Sequence, residues 1–320
     1  MALLEVRDLK VSFDTPDGVV QAVRGIDFSL QPGEGLAIVG ESGSGKSQAM
    51  LAMLGLLAEN GSASGVARYR DQDLMAMTPQ QLNAHRGKDI AMIFQDPMTS
   101  LNPYLSIERQ MVEVVRHHQG LGRREAQTHA VEMLRAVRIP DPEQRIKQYP
   151  HEFSGGMRQR ILIAMGLLCE PAILIADEPT TALDVTVQAQ IAALVREVVA
   201  RSGMASILIT HDLGVVAGVS DKVMVMYAGQ VVEYGTTEQI YHHPQHPYTR
   251  GLIASVPRLD QADDRQLHAI PGNPPNLLDL PSGCSFRERC GDAFDACDTA
   301  PELDASGSGQ QLRCHQERDA

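Results

Sequence analysis

Eight residues, GESGSGKS from Gly40 to Ser47, fit the pattern G-x-x-x-x-G-K-[ST] at every fixed position. Such a loop binds phosphate. Gly40, Gly43 and Gly45, with Ser42 between them, let backbone N–H groups curl around the phosphates of a nucleotide. Lys46 reaches the outer phosphates, and the Ser47 hydroxyl ligates magnesium. A second stretch, ILIADEP, ends an apolar run on Asp177, where a carboxylate holds hydrated magnesium. Glu178 follows directly. In an extended chain neighbouring side chains point to opposite sides, so Glu178 faces elsewhere and is the candidate for polarising an attacking water. His211, at the end of ILITH, is placed to bond a terminal phosphate or that water. Gln95, at the end of IAMIFQ, is placed to reach the magnesium or the water.

A third stretch raises a question. FSGGMRQR, residues 153–160, opens a helix with Ser154, Gly155 and Gly156, which offer a hydroxyl and unhindered N–H groups at a positive helix end. One chain thus carries two phosphate-shaped helix starts, and no strand pattern leads into this one.

The elements around these residues alternate. LLEVRDLKVSF and VVQAVRGIDFSL read as strands, and GLAIVG is a short apolar run ending in glycine, followed by the helical QAMLAMLGLL. From about residue 105 to 150, IERQMVEVVRHH and REAQTHAVEMLRAV place apolar residues three and four apart, as amphipathic helices do. AILIAD, SILITH and KVMVMYAG are strands separated by helical segments. That alternation predicts an α/β fold with a mostly parallel sheet covered by helices. After about residue 256 the texture turns rich in proline and glycine, PGNPPNLLDLPSG, which marks a boundary. The expected domains are residues 1–255, with a helical part at about 100–165, and an extension at 256–320.

Bulk properties narrow the function classes. The chain has 320 residues and a formal net charge of -12, with aromatics at 4% and no tryptophan. An acidic surface without a basic run repels nucleic acid, and scarce aromatics give no platform for stacking bases. No apolar stretch approaches the ~20 residues of a membrane span. The start, MALLEVRDLKVSFD, has no cationic region followed by an apolar core, so a signal peptide is not expected. Of the five cysteines, Cys169 lies in an apolar helical run and reads as core. Cys284, Cys290, Cys297 and Cys314 crowd the tail at C-x₅-C-x₆-C-x₁₆-C, which suggests a metal site whose metal the spacing does not identify. The histidines of YHHPQHPYTR imitate a metal site, but prolines punctuate them as in a docking loop.

In their order along the chain, GESGSGKS, Gln95, FSGGMRQR, ILIADEP, TALD and His211 resemble the ATP-binding subunit of ABC transporters. The resemblance covers roughly residues 3–255. It implies a P-loop NTPase with a RecA-like core of the ABC type, a helical subdomain and an antiparallel β part. It also answers the question of the second helix start. Ser154, Gly155 and Gly156 form a signature motif that binds the γ-phosphate held by the loop of a facing subunit, so each ATP is sealed between two chains. The resemblance places Asp184 of TALD across that junction and stacks Phe13 on adenine. Phe153 and Met157 depart from the commonest signature, which has leucine and glutamine there.

QDPMTSLNP, HPYTRGLIASVP and IPGNPPNLLDLPSGCSFRERC narrow the resemblance to importers of dipeptides, oligopeptides or nickel. These join two different ATPase subunits to two membrane permeases and an external solute-binding protein, with the ATPases on the cytoplasmic face of the membrane. Members can carry a [4Fe–4S] cluster on four cysteines in the extension, and all four cysteines here match. The expected cofactors are therefore ATP, Mg²⁺ and [4Fe–4S]. Rival expectations are a nickel or glutathione importer built on the same cassette, a soluble ABC ATPase acting on nucleic acid, and a subunit that binds ATP without splitting it.

Overall fold

The computed structural model describes residues 2–180, 184–256, 270–305 and 309–316. The chain divides into two compact units. One comprises Met1–Gln31, Gly35–Met77 and Ile209–Ala320, and the other Pro32–Glu34 and Thr78–Leu208.

In the first unit, the strands Leu4–Thr15 and Gly18–Leu30 pair antiparallel, from Leu4 opposite Leu30 to Thr15 opposite Gly18. Gly61–Tyr69 pairs antiparallel with the other edge of Leu4–Thr15, and Gln72–Asp73 completes a four-stranded sheet. This is the antiparallel part that the resemblance implies. Gly61–Tyr69 had little signal in the sequence, because its first five residues, GSASG, bury almost nothing and cannot alternate apolar with polar.

The same unit holds the strand Gly35–Val39, buried at every residue and parallel to Lys222–Tyr227. A strand covered on both faces reads as a continuous apolar run, which is why GLAIV shows no alternation. Lys222–Tyr227 continues antiparallel into Gln230–Thr236, and the tail adds two short strands, Gln311–Leu312 and Asp304–Ala305. Ala37, Val39, Val225 and Tyr227 pack with Tyr248, Leu252 and Phe286, and Cys284 and Cys290 lie half-buried against this cluster. The cysteine-bearing segment therefore shares a core with the strand that leads into the phosphate loop.

In the second unit, Ile90–Ile93 runs parallel to Ile173–Asp177, in register from Ile90 opposite Ile173. Ala205–Thr210, of which residues 205–208 belong to this unit, lies on the other side of Ile173–Asp177. The longer helices beside these strands are Ile107–Gln119, Arg123–Ala136, Gly155–Leu167 and Val185–Ser202. The Ser106 hydroxyl accepts from Arg109 N–H to start the first, and Gly120, at φ 69°, ends it. Ile107, Met111 and Val115 recur every four residues and pack against Ala126, Ala130 and Leu134, as the amphipathic pattern predicts. The helix Pro79–His85 had not been anticipated. Its start is a capping box, Thr78 with Gln81, followed by a proline at the first helical position. Among the described residues no helix is long and apolar enough to cross a membrane.

Candidate nucleotide site

The phosphate loop joins the buried strand Gly35–Val39 to the helix Lys46–Met53, the strand–loop–helix order that the motif requires. Gly40 has φ 154°, and a Cβ there would come within 2.2 Å of the Met226 carbonyl oxygen. Gly45 has φ 97°, and its Cβ would meet the Ala22 carbonyl oxygen at 2.2 Å. Glycine at these two positions is therefore a packing requirement. The loop closes on its own lysine: Lys46, only 4% exposed, donates through Nζ to the carbonyls of Gly40 at 2.7 Å and Glu41 at 2.9 Å, and to Ser44 Oγ at 3.4 Å. A buried ammonium needs such acceptors, and phosphate oxygens are stronger ones. Ser47 follows in the first helical turn, half-buried, and Ser42 and Gly43 are exposed at the loop crest.

In the second unit, Asp177 ends its strand with 5% exposure. Glu178 takes φ 43°, in the left-handed region. Its direction therefore differs from that of Asp177 because the backbone turns, and not through the extended pleat expected from the sequence. A non-glycine residue held there stores strain, and such residues concentrate at functional sites. Gln95 lies two residues beyond the strand Ile90–Ile93, and its Nε2 donates to Glu178 Oε2 at 3.0 Å. The structure thus brings together two of the residues singled out for catalysis. His211, which belongs to the first unit, is exposed one residue past the strand Ala205–Thr210, in a turn where Asp212 N–H donates to Thr210 Oγ1 at 3.0 Å.

The second helix start differs from the first. Ser154 has the extended backbone of an N-cap, but its hydroxyl makes no cap bond, and both it and Gly155 are exposed. Gly156 has its own steric reason, since a Cβ would meet Val187 Cγ1 at 2.8 Å. Phe153 is buried in place of leucine, and Met157 accepts a long contact from Arg145 Nη1 at 3.9 Å through its sulfur. Asp184 caps the helix Val185–Ser202, its carboxylate accepting from Val187 N–H at 2.9 Å. The Thr181, Ala182 and Leu183 of TALD lie outside the described residues. Phe13 is half-buried on the strand Leu4–Thr15, over Gly61, where a Cβ would meet its ring at 2.7 Å.

The HPYTR stretch is not a docking loop. His246 is 1% exposed and starts the helix Pro247–Ala254, with Nδ1 accepting from Tyr248 N–H at 3.0 Å. Burial holds its pKa down to about 3, so it is neutral. Proline here sits at the first helical position, where its missing donor costs nothing; it signals a helix start as well as it signals a loop.

The four tail cysteines are all free thiols. The backbone N–H of Cys284 donates to the Cys297 carbonyl at 3.0 Å. Burial pushes the thiols of Cys284, Cys290 and Cys314 up; Cys297 and Cys314 raise Cys284 further, Cys314 and Cys284 raise Cys290, and Cys297 raises Cys314. Among the described residues no group of three or more His, Cys, Asp or Glu is arranged to hold a metal ion.

Sequence reasoning missed the residues that hold the loop from outside. The Glu41 carboxylate takes a fork from Arg289, Nη1 to Oε2 at 2.6 Å and Nη2 to Oε1 at 2.9 Å, and Glu41 N–H donates to the Tyr248 hydroxyl at 2.8 Å. Glu41 occupies a variable position of the motif and Arg289 lies among the cysteines, so neither spacing nor periodicity linked them.

A loop of this shape between a buried parallel strand and a helix defines a P-loop nucleotide-binding protein, and comparison with known proteins narrows the class. Residues 23–181 match the family model described as ABC transporter, and residues 232–297 the one described as the C-terminal region of oligopeptide/dipeptide transporters. The chain is 54% identical over 312 residues, 98% of its length and 93% of the relative's, to the oligopeptide transport ATP-binding protein OppD of Salmonella typhimurium. It is 52% identical to the dipeptide transport ATP-binding protein DppD of Bacillus subtilis, covering 92% of this chain and 89% of that one. Among solved structures, the cbiO1 protein of Clostridium perfringens, part of an ABC transporter complex, superposes with a TM-score of 0.63 at 29% identity over 76% of this chain and 91% of that one. A dimeric ATP-binding cassette bound to ADP and Pi gives 0.66 at 22% identity, over 73% of this chain and 98% of that one, which shows the shared fold. The chain belongs to the ATP-binding proteins of ABC transporters, within the oligopeptide/dipeptide branch.

Proposed function

We propose that the chain hydrolyses ATP to power import of di- or oligopeptides, each ATP being sandwiched between two facing ATPase subunits. The observation that carries the sandwich is the contrast between a closed phosphate loop and the open start at Ser154, whose hydroxyl caps nothing in its own helix. The peptide cargo rests on the relatives named above and on the match of residues 232–297.

In this reading the loop amides from Gly40 to Gly45 and Lys46 hold the triphosphate, and Phe13 stacks on the adenine. Ser47, Gln95 and Asp177 offer a hydroxyl, an amide oxygen and a carboxylate, the hard oxygen donors that magnesium takes. The metal, when bound, offsets the charge of the phosphate oxygens. Glu178 takes the proton of the attacking water, His211 bonds the terminal phosphate, and Ser154, Gly155 and Gly156 complete the partner's site. Asp184 faces that junction while capping its helix.

The partners in this reading are a related second ATPase, giving a heterodimer, and two transmembrane permeases, with a solute-binding protein beyond them. The chain would thereby sit on the cytoplasmic face of the membrane. A groove of about 760 Å³ along the helix Ile107–Gln119, lined by Glu108, Arg109, Val112, Glu113 and Arg116, suits a permease segment. Cys284, Cys290, Cys297 and Cys314 are the candidate ligands of a [4Fe–4S] cluster. That assignment rests on the resemblance and on the four cysteines matching its pattern, C-x₅-C-x₆-C-x₁₆-C.

The test is to tag the chain, solubilise membranes and identify what copurifies. Two permeases and a sister ATPase, reconstituted to give ATP-dependent peptide uptake, are expected. Recovery alone or with nucleic acid, or uptake of nickel or glutathione in place of peptide, overturns the reading.

A further inference from the structure

The first unit builds a clamp around one residue of the phosphate loop. Glu41 is held at three points: its carboxylate in the fork of Arg289, its N–H on the Tyr248 hydroxyl, and its carbonyl by Lys46. The clamp is itself anchored. Arg289 is 7% exposed, donates through Nε to the Pro271 carbonyl at 2.8 Å and through Nη1 to the Tyr227 hydroxyl at 3.3 Å, and lies over the rings of Tyr227 and Phe286. Tyr248 is wholly buried at the start of the helix Pro247–Ala254, its ring 4.7 Å from that of Tyr227. The short helical turn Arg287–Arg289 is closed by Arg287 N–H on the Cys284 carbonyl and Cys290 N–H on the Arg287 carbonyl. The fork on Glu41 therefore comes from a turn bracketed by two of the four tail cysteines.

A bidentate guanidinium–carboxylate pair fixes orientation as well as distance. Its carboxylate partner follows Gly40, whose φ of 154° is open to few residues, so these bonds act at the point where the strand turns into the loop. Phosphate binding by backbone amides depends on their convergence, and a loop pre-set in the bound shape avoids an ordering cost at the moment of binding. On these grounds we propose that Arg289 is a positioning residue for the phosphate loop: through Glu41, and together with Tyr248, the C-terminal region sets the affinity of the site for nucleotide. This rests on the ATP reading above. The hydrolytic step does not use the clamp, so its loss acts on binding.

The test uses the full-length chain, with MgATP and MgADP titrated by calorimetry, and the assembled transporter for kinetics. Arg289→Met is expected to loosen both nucleotides about tenfold, and Arg289→Lys, which keeps the charge without the fork, by less. Glu41→Gln is expected to loosen them too, and the double variant Glu41→Gln/Arg289→Met no further than Arg289→Met alone. In the assembled transporter KM for ATP rises while kcat stays within about twofold. Binding stoichiometry separates weakened affinity from a misfolded fraction, and Glu41→Gln, at a partly exposed side chain, tests the clamp without disturbing the core. Unchanged affinity in both single variants, additive losses in the double, or a fall in kcat at constant KM overturns the proposal. A wild-type chain that binds no nucleotide overturns the ATP reading itself.

Discussion

The chain starts two helices with serine and glycine, and the two starts are finished differently. At Gly40–Ser47 the polar groups are gathered inward: a buried lysine bonds two carbonyls and a hydroxyl, and Glu41 is fixed by Arg289 and Tyr248. At Ser154–Gly156 the serine and first glycine are exposed and the serine caps nothing. Both starts are positive helix ends that favour an anion, but only the first is a formed cradle. Similar sequence can thus encode a whole site or half of one. What separates them is the neighbouring structure, which folds the first loop closed and leaves the second to be completed from outside.

The comparison can be sharpened by substitution. The largest effect is expected at Glu178. Glu178→Gln retains ATP binding and cuts turnover of the assembled transporter by ~10²-fold or more, the scale of lost general-base help. Undiminished hydrolysis in a coupled phosphate-release assay removes Glu178 from that role. Gly45→Ala comes next: at φ 97° and with 2.2 Å to the Ala22 carbonyl, the new methyl forces the loop open. It is expected to abolish nucleotide binding and to destabilise the chain by about 2 kcal/mol or more, read from denaturant unfolding. Gly43→Ala, also at positive φ but with nothing within 4 Å, costs only the backbone term, about 1 kcal/mol.

A third prediction concerns the buttress behind the first start. His246 is buried neutral, with its folded pKa lowered by burial from 6.5 to about 3. Its contribution to stability is therefore complete above pH 6.5 and is lost as pH falls from 6.5 towards 3, because the unfolded chain takes up the proton first. At pH 5.5 that loss is about 1.4 kcal/mol, on the scale of one pKa unit. His246→Asn should flatten this part of the stability curve measured by urea unfolding, and an unchanged slope would place the acid sensitivity elsewhere. The smallest effect is expected at Cys169, whose thiol is raised by burial against the helical core. Cys169→Ala should leave ATP turnover as it is, and, if the proposed cluster is bound, iron content as well, whereas Cys284→Ser is expected on that proposal to lower the iron content of anaerobically purified protein.

Much of this site was legible because its residues obey strict local rules. Glycines at forced φ, an apolar strand ending in Asp177 and a serine-glycine helix start each have a short-range signature. The clamp on Glu41 had none: it joins residues separated by 248 positions, and such pairing is visible only once the chain is folded. The direction of Glu178 was also beyond reach, since it follows from a left-handed turn where alternation would have kept the chain extended. His246 was misjudged for a different reason. Prolines mark loops and first helical turns alike, and burial, which decides between them, comes in part from Phe286, 40 residues further along the chain.

The central claim is that the open start at Ser154 serves a partner's nucleotide. The direct measurement is ATP-dependent association of the Glu178→Gln chain with its sister subunit, with and without Ser154→Arg, by analytical ultracentrifugation beside an ATP-binding titration of each chain alone. The account predicts that Ser154→Arg prevents the association while the isolated chain binds ATP as before. Association that survives the arginine, or ATP affinity of the isolated chain that falls with it, would contradict the account.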